Sequence, residues 1–203
     1  MAEFAQPLRE QDVDADPFRQ FSVWFEDAVG SGVRSPEAAA VATATAEGAP
    51  SARMVLVKQT GERGFVFFTN YGSRKGSELT ANPRAALLFH WDPLGRQVRI
   101  EGPVERLAAE ESAAYVRSRP RGSQLSALAS PQSRPVADRG QLERRVAELA
   151  ARYEGELPVP DFWGGLRLVP EWFEFWQHRE DRLHDRLAYR RGDGEWLIER
   201  LAP

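Results

Sequence analysis

The stretch AAVATATAEGAPSARMVLVKQTGERGFVFFT, residues 39–69, decides the fold. It divides into Ala39 to Thr45, a turn over Glu47-Gly48-Ala49-Pro50, Ser51 to Gln59, a second turn over Gly61 to Gly64, and Phe65 to Thr69. Short runs of β-branched and aromatic residues bounded by Gly and Pro are the pattern of strands joined by tight turns, and three in succession predict an antiparallel meander. Working outward, two more strands are expected at Ala85 to Trp91 and Gln97 to Val104, joined by Asp92-Pro93-Leu94-Gly95. Further strands are expected near Leu166 to Val169, Trp172 to Gln177, Arg186 to Arg190 and Trp196 to Leu201, the last two forming a hairpin over Gly192-Asp193-Gly194.

Helical signals surround these strands irregularly. Asp16-Pro17 supplies an N-cap and a first-turn proline, and Phe18, Phe21, Trp24, Phe25 and Ala28 follow at helical spacing, an aromatic stripe suited to core packing. Helices are also expected from the Gly72-Ser73 turn to about Asn82, over 108–118, over Gln124 to Ala129, and from Asp138 to about Tyr153 with a charged outer face. This order does not fit a doubly wound parallel sheet. The fold class expected is mainly β with peripheral helices (α+β), built on a small antiparallel barrel. Residues 1–15, polar and turn-rich, are expected to be a mobile arm, and residues 16–203 a single domain.

Composition narrows the function classes. The 203 residues are 42% hydrophobic and 28% charged, ordinary for a compact domain. The 27 basic residues are outbalanced to a net charge of −3, which excludes a general attraction to nucleic acid and requires any anion site to be a local cluster. Cysteine is absent, so thiolate catalysis and Cys-ligated metal are excluded, and three scattered histidines do not make a zinc triad. The opening MAEFAQPLREQ has no basic segment followed by an apolar one, and no apolar run reaches the length of a membrane span, so the expectation is a cytoplasmic protein without a membrane partner.

Several clusters carry potential chemistry. Arg53 and Lys58 sit five residues apart, so in a strand they project to opposite faces roughly 16 Å apart, which predicts two different anions. Tyr71-Gly72-Ser73-Arg74-Lys75-Gly76 delivers two cations to a helix N-terminus, a plausible phosphate cradle without the spacing of a P-loop or a dinucleotide fingerprint. Within nine residues Tyr115, Arg119, Arg121 and Ser123 place a phenol, two guanidiniums and a hydroxyl around Pro120 and Gly122, a second anion candidate. Gln97 is a suitable contact for a ring with donor and acceptor edges. If Arg182 to Arg186 is extended, Arg182, His184 and Arg186 share one face, a row of donors suited to a flat anionic ligand that Trp176 could wall.

The motifs RMVLVK (53–58), FFTNYGSRKG (67–76), GRQVRIEG (95–102), YVRSRPRGSQ (115–124), PQSR (131–134), FWGG (162–165) and FWQ…RLHDR (175–186) occur in one order. Together they resemble the pyridoxine (pyridoxamine) 5′-phosphate oxidase family, from roughly the first helix to the final RLAP. The resemblance implies an FMN-binding split β-barrel, a homodimer with FMN where the subunits meet, and a small-molecule substrate. It implies oxidation of pyridoxine or pyridoxamine 5′-phosphate to pyridoxal 5′-phosphate by hydride transfer from C4′ to FMN, with O2 reduced to hydrogen peroxide. For the cofactor it implies Arg53, Met54, Val55, Leu56, Val57, Lys58, Phe68, Thr69, Arg74, Lys75 and Ser133, with Gln97, Gln132, Trp176 and Arg186 around the isoalloxazine ring. For the substrate it implies Lys58, Tyr115, Arg119 and Ser123 at the phosphate and Arg182, Leu183 and His184 at the pyridine ring, with Arg182 and His184 catalytic. Two departures stand out: the Arg and Tyr pair of the family's N-terminal lid has no counterpart beyond Arg9, and His178-Arg179 stand where small residues are usual. The rival readings are a related split-barrel oxidase of a phenazine precursor and a non-catalytic flavin or pyridoxal phosphate carrier.

Overall fold

The computed structural model describes residues 7–203. Nine strands are present among them: β1 (Ala38–Ala44), β2 (Pro50–Gln59), β3 (Phe65–Asn70), β4 (Arg84–Trp91), β5 (Arg96–Arg106), β6 (Trp163–Leu168), β7 (Trp172–Gln177), β8 (Asp185–Arg191) and β9 (Trp196–Arg200). Their order is β4-β1-β2-β3-β6-β5-β7-β8-β9 with an added β4–β5 pairing, so the first six close into an antiparallel barrel and β7 to β9 extend it. The expected meander is β1 to β3, and the hairpin over Gly192-Asp193-Gly194 joins β8 to β9. This is the mainly β, split-barrel class with peripheral helices that the sequence implies.

The core is aromatic. Helix α1 (Pro17–Gly30) starts where the Asp16 carboxylate accepts from the Phe18 N–H at 2.9 Å, and buries Phe21, Trp24 and Ala28. Phe21 packs edge-on against Phe65 of β3 (centroids 4.9 Å) and Phe89 of β4 (5.0 Å), so the stripe plugs the barrel. Each such ring contributes about 1.5–3 kcal/mol by leaving water.

The barrel closes through β5, which serves two neighbours along one edge. Arg96 to Glu101 pair with β7, and Val104 to Arg106 pair with β6. Gly102 stands at the change-over, where a Cβ would lie 2.0 Å from the Val169 carbonyl oxygen. A barrel corner with so close a backbone approach admits only glycine.

The remaining helices are α2 (Arg74–Ala81), α3 (Ala109–Ser118), α4 (Arg121–Ala129) and α5 (Arg139–Arg152). Helix α5 buries no residue, as its charged face foretells. Helix α4 begins three residues earlier than the sequence suggests, so Arg121 to Ser123 are helical and only Arg119 and Pro120 remain as the turn.

The mobile arm expected over 1–15 needs revision in its described part; residues 1–6 lie outside the described residues. Leu8 is buried and its N–H donates to Asp185 Oδ2 at 3.1 Å. Arg200 donates to the Leu8 carbonyl (2.7 Å), to Glu10 (2.8 Å) and to Asp185 (2.9 Å), while the Tyr189 hydroxyl donates to the Asp14 carbonyl at 2.7 Å. Partners at the far end of the chain dock this segment, and local composition does not register them. The expected consequence of the β5 corner is that Gly102→Ala lowers stability by about 1–3 kcal/mol. Urea denaturation checks it; a change within about 0.5 kcal/mol would show that the corner relaxes freely.

Candidate functional site

The barrel wall has a gap, and the gap is the candidate site. Strand β2 pairs with β1 from Pro50 to Leu56, but its pairs with β3 are confined to Val57↔Phe67 and Gln59↔Val66, with a register shift between Val57 and Gln59. Along the stretch of β2 without β3 pairs lies a cavity of about 520 Å3. Its wall includes Arg53 to Leu56 and Lys58 of β2, Phe68 and Thr69 of β3, Arg74 and Lys75 of α2, and Gln132 and Ser133 of the loop after α4. Backbone groups that a neighbouring strand would otherwise take thus border a chamber lined with cations. Val57 departs from the implied set: its side chain is in the core, only 3% exposed, and its N–H donates to the Glu37 carbonyl at 2.9 Å.

The cationic end is built by α2. Ser73 caps the helix by accepting from the Gly76 N–H at 3.3 Å, and a Cβ on Gly76 would meet the Tyr71 carbonyl oxygen at 2.2 Å, so the turn closes tightly on the helix N-terminus. Arg74 and Lys75 follow at once, adding two charges to the positive end of the helix dipole. Lys75 is buried and donates to Ser73 Oγ (3.2 Å) and Gln132 Oε1 (3.0 Å). Burial, helped by the Arg53 charge, lowers its pKa to about 8. Thr69 Oγ1 donates to the same Gln132 oxygen at 3.3 Å, tying β3 to the loop that carries Ser133, whose φ of 68° is left-handed. Arg53 donates to Thr43 Oγ1 at 2.5 Å and also to Ser51 Oγ.

Tyr115 and Arg119 of the second sequence cluster reach the same cavity. Phe68 and Tyr115 stack at 3.6 Å between centroids, Tyr115 and Trp163 are parallel within 3°, and Arg119 lies 4.9 Å over Trp163. Trp163 is a wall residue for which the sequence offered only the motif FWGG. The next residue explains the fit, since a Cβ on Gly164 would sit 2.2 Å from the Tyr71 hydroxyl. Ser123, inside the first turn of α4, is not among the lining residues. Lys58 and Arg53, expected to serve separate anions, border one chamber because the cavity follows the unpaired edge of β2 and is reached from both faces of the strand. Lys58 pairs with Glu37 at 3.3 Å.

Gln97, Trp176 and Arg186 come together elsewhere. The registers Gln97↔Trp176 and Trp176↔Arg186 set them side by side across β5, β7 and β8, where they line a second cavity of about 310 Å3 with Leu88, Arg99, Glu174 and Pro203. Buried Glu174 accepts from Arg186 (2.6 Å) and Arg99 (2.9 Å), and this contact raises the Arg186 pKa further.

The row of donors at 182–186 does not form as an extended strand. Strand β8 starts at Asp185, and the chain before it makes a 3-10 turn, Glu180–Arg182, in which Asp181 (φ 54°) and Arg182 (φ 61°) are both left-handed. Two successive left-handed non-glycine residues break the two-residue period. Arg182 and Leu183 are therefore exposed, Leu183 at 71%, while half-buried His184 packs against Trp176 (4.6 Å) and His178 (5.1 Å). His184 Nδ1 accepts from the Arg179 N–H at 3.1 Å, which puts the proton of the neutral ring on Nε2. Burial, then the charges of His178 and Arg182, lower the His184 pKa, so the neutral donor form is favoured. Among the described residues no group of His, Cys, Asp or Glu has the arrangement of a metal site, and no helix is long and apolar enough to cross a membrane.

The fold is a split barrel with a cation-lined gap in its wall and a separate cavity bordered by Gln97, Trp176 and Arg186. Comparison with known proteins gives the family. Residues 25–153 match the model described as pyridoxamine 5′-phosphate oxidase, and residues 163–203 match the one described as the pyridoxine 5′-phosphate oxidase C-terminal dimerisation region. The chain is 57% identical over 197 residues to the pyridoxine/pyridoxamine 5′-phosphate oxidase of Rubrobacter xylanophilus, covering 97% of this chain and 91% of that protein. It is equally similar, 57% over 197 residues, to the enzyme of that name from Bordetella petrii, covering 97% and 93%. Among solved structures, PhzG from Burkholderia lata 383 in complex with tetrahydrophenazine-1-carboxylic acid superposes with a TM-score of 0.93 at 34% identity over the whole of both chains. The chain belongs to the pyridoxamine 5′-phosphate oxidase family.

Lys75 gives the site a measurable pH dependence. Its pKa is lower in the folded chain, about 8, than the usual 10.5, so between these values the unfolded chain holds the extra proton and stability rises with pH. The full penalty applies below pH 8. Lys75→Met is expected to stabilise the ligand-free protein at pH 7 by on the order of 1–3 kcal/mol, the advantage shrinking from pH 8 toward 10.5. Denaturation curves of both proteins across that range test it, and a pH-independent difference would refute the buried-charge account.

Proposed function

We propose that this chain is an FMN-dependent oxidase that converts pyridoxine or pyridoxamine 5′-phosphate to pyridoxal 5′-phosphate, with O2 as electron acceptor and hydrogen peroxide as product. The observation that carries the proposal is the single chamber in which Arg53, Arg74 and Lys75 meet Lys58, Tyr115 and Arg119. The donor set fits FMN: the α2 N-terminus with its cations suits a phosphate monoester, and an amide, an indole and a guanidinium in the second cavity suit a flat ring with polar edges. Bound FMN supplies the hydride acceptor and the reaction with O2.

The chain's own residues bind, orient and hold charge. Lys58, Tyr115 and Arg119 grip the substrate phosphate, with Ser123 of α4 reached on binding. The Nε2 proton of neutral His184 is donated to the pyridine hydroxyl, and Arg182, carried on its strained turn, lies against the ring and offsets the change in charge at C4′. Arg186, kept cationic by Glu174, stands at the edge of the cofactor ring.

The two cavities belong to one site in a homodimer. Between them runs the outer face of β2, β1 and β4, where Ala42 pairs with Ala52 and Ala86, and Ala40 with Met54 and Leu88. Met54 (64% exposed) and Leu56 (47%) lie on this apolar face, which suits a second copy of the chain. The matched dimerisation region contains Trp176 and Arg186 of the second cavity. On this reading the cofactor's phosphate lies on one subunit and its ring against the partner. The likeness to PhzG favours a second reading, oxidation of a phenazine precursor. Lys58 and Arg119 on the chamber wall favour the phosphorylated substrate.

Peroxide release under air by the FMN-loaded protein is expected with pyridoxine 5′-phosphate and not with unphosphorylated pyridoxine; no peroxide from either, with FMN bound, defeats the assignment. Arg53→Ala is expected to weaken FMN by about 10–100-fold, the loss of a charged hydrogen bond, whereas Arg182→Ala lowers turnover by a larger factor than it lowers FMN affinity. Equal losses of both properties in each variant would reject this division. Ala42→Glu, which puts a charge on the apolar face at a residue that itself lines neither cavity, is expected to yield monomers that bind FMN weakly; a dimer with full affinity in light scattering and titration would place the interface elsewhere.

A further inference from the structure

One buried charge remains outside the roles given so far. Glu78 lies on α2, one turn beyond Arg74, and is only 5% exposed. Its Oε1 accepts from Arg74 Nε at 2.9 Å. Its Oε2 accepts from Ser51 Oγ at 2.5 Å, from Thr43 Oγ1 and, at 3.4 Å, from Arg53 Nη2. Thr43 and Ser51 are register partners on β1 and β2, so one carboxylate joins the helix to two strands and touches two arginines of the chamber.

An exposed i,i+4 pair on a helix is worth a few tenths of a kcal/mol and needs no further role. Glu78 differs because its carboxylate is withdrawn from water, where an apolar residue of similar size would generally serve stability as well or better. Stability alone therefore does not account for it. We propose that Glu78 is a positioning residue for the phosphate end of the cofactor, holding Arg53 and Arg74 in place before the ligand arrives and trimming their charge to match a phosphate monoester. Arg53, Arg74 and Lys75 carry three positive charges and Glu78 one negative, leaving two, the complement of a phosphate dianion. Arg74 is the more dependent partner. Its side chain is 61% exposed, and Glu78 is the carboxylate that draws it inward. The hydrogen bonds from Ser51, Thr43 and Arg74 and the Arg53 charge outweigh the opposing effect of burial and keep the Glu78 pKa at about 2, so the carboxylate stays ionised at every working pH.

This inference rests on the proposal that the cofactor is FMN, and the test separates the two. FMN and riboflavin, which lacks the phosphate, are titrated into the cofactor-free full-length protein and followed by flavin fluorescence. Glu78→Gln keeps the volume but faces an amide N–H₂ toward existing donors. It is expected to weaken FMN about 10–100-fold, in the range of a lost charged hydrogen bond, and riboflavin less than about 3-fold. Arg74→Ala is expected to weaken FMN about 10-fold, and the double variant Arg74→Ala/Glu78→Gln to fall short of the product of the single losses, because the two act through one contact. Equal loss of FMN and riboflavin, or multiplicative losses in the double variant, would show a merely structural role and overturn the proposal. Ser51→Ala, which removes one donor without stranding a charge, covers the case of a Glu78 variant that does not fold; it is expected to lose FMN selectively and more mildly, and no loss of selectivity overturns the proposal. If the wild type binds neither flavin, the FMN proposal fails on its own. Thermal stabilisation by inorganic phosphate, expected in the wild type and reduced in Glu78→Gln, then decides the role of Glu78, and equal stabilisation of both overturns it.

Discussion

The incomplete pairing of β2 with β3 is the constraint on which the site depends. A closed barrel normally satisfies every backbone group in its wall and fills its interior with side chains. Here α1 packs Phe21 against the core rings Phe65 and Phe89 and buries Trp24 against Phe175. The register shift after Val57 brings β2 against β3 only at its end, and the wall parts along residues 51–56. Helix α2 enters beside that gap, since the chain leaving β3 turns at Gly72-Ser73 and Gly76 lets the turn close on the helix. Positive charge is therefore delivered to the opening by the same turn that begins the helix.

Electrostatics in the chamber work against the charge of the whole molecule. The chain is acidic overall, at −3, yet cations crowd one cavity. Their cost is visible in Lys75, whose ammonium burial and the neighbouring Arg53 both disfavour. Glu78 relieves part of that repulsion at the opposite side of the cradle, and Glu174 does the same for Arg99 and Arg186 in the second cavity. In each place a buried carboxylate fixes two guanidiniums, which fixes where an anion or a polar ring edge can sit.

The positions of the strands and the start of α2 were legible in the sequence because each depends on local signals. Alternation and turn residues mark β1 to β5, and Gly72-Ser73-Arg74-Lys75 announces a capped helix start with cations attached. What was not legible is non-local or conformational. The left-handed Asp181 and Arg182 turn the expected strand face into a loop, and nothing in the residue types there demands positive φ. Val57 looks like the residues around it, yet the alternation of β2 turns its side chain to the core just before the register shift. Trp163 enters the wall because β6 pairs with β3, setting Gly164 opposite Thr69 across some ninety residues of chain, and Leu8 docks because Arg200 lies beside it. Ser123 lies in a helix and not a loop for a simpler reason: α4 starts at Arg121 instead of Gln124 and takes it into the first turn.

The separation of the two cavities bears on assembly. One chain holds the cations and the stacked Phe68, Tyr115 and Trp163 on one side of the apolar sheet face, and Gln97, Trp176 and Arg186 on the other. A ligand with an anionic tail and a flat ring finds each half on the same molecule but in different cavities. In the proposed homodimer, a two-fold axis through the apolar face would resolve this, because an isologous contact that set the first cavity of one copy against the second cavity of the other would do so twice. Burying Met54, Leu56 and the alanines of β1 and β4 would then drive association and complete both sites in the same step. In such an arrangement the cofactor is part of the interface, so its affinity and the stability of the dimer are linked: whatever loosens one loosens the other by mass action.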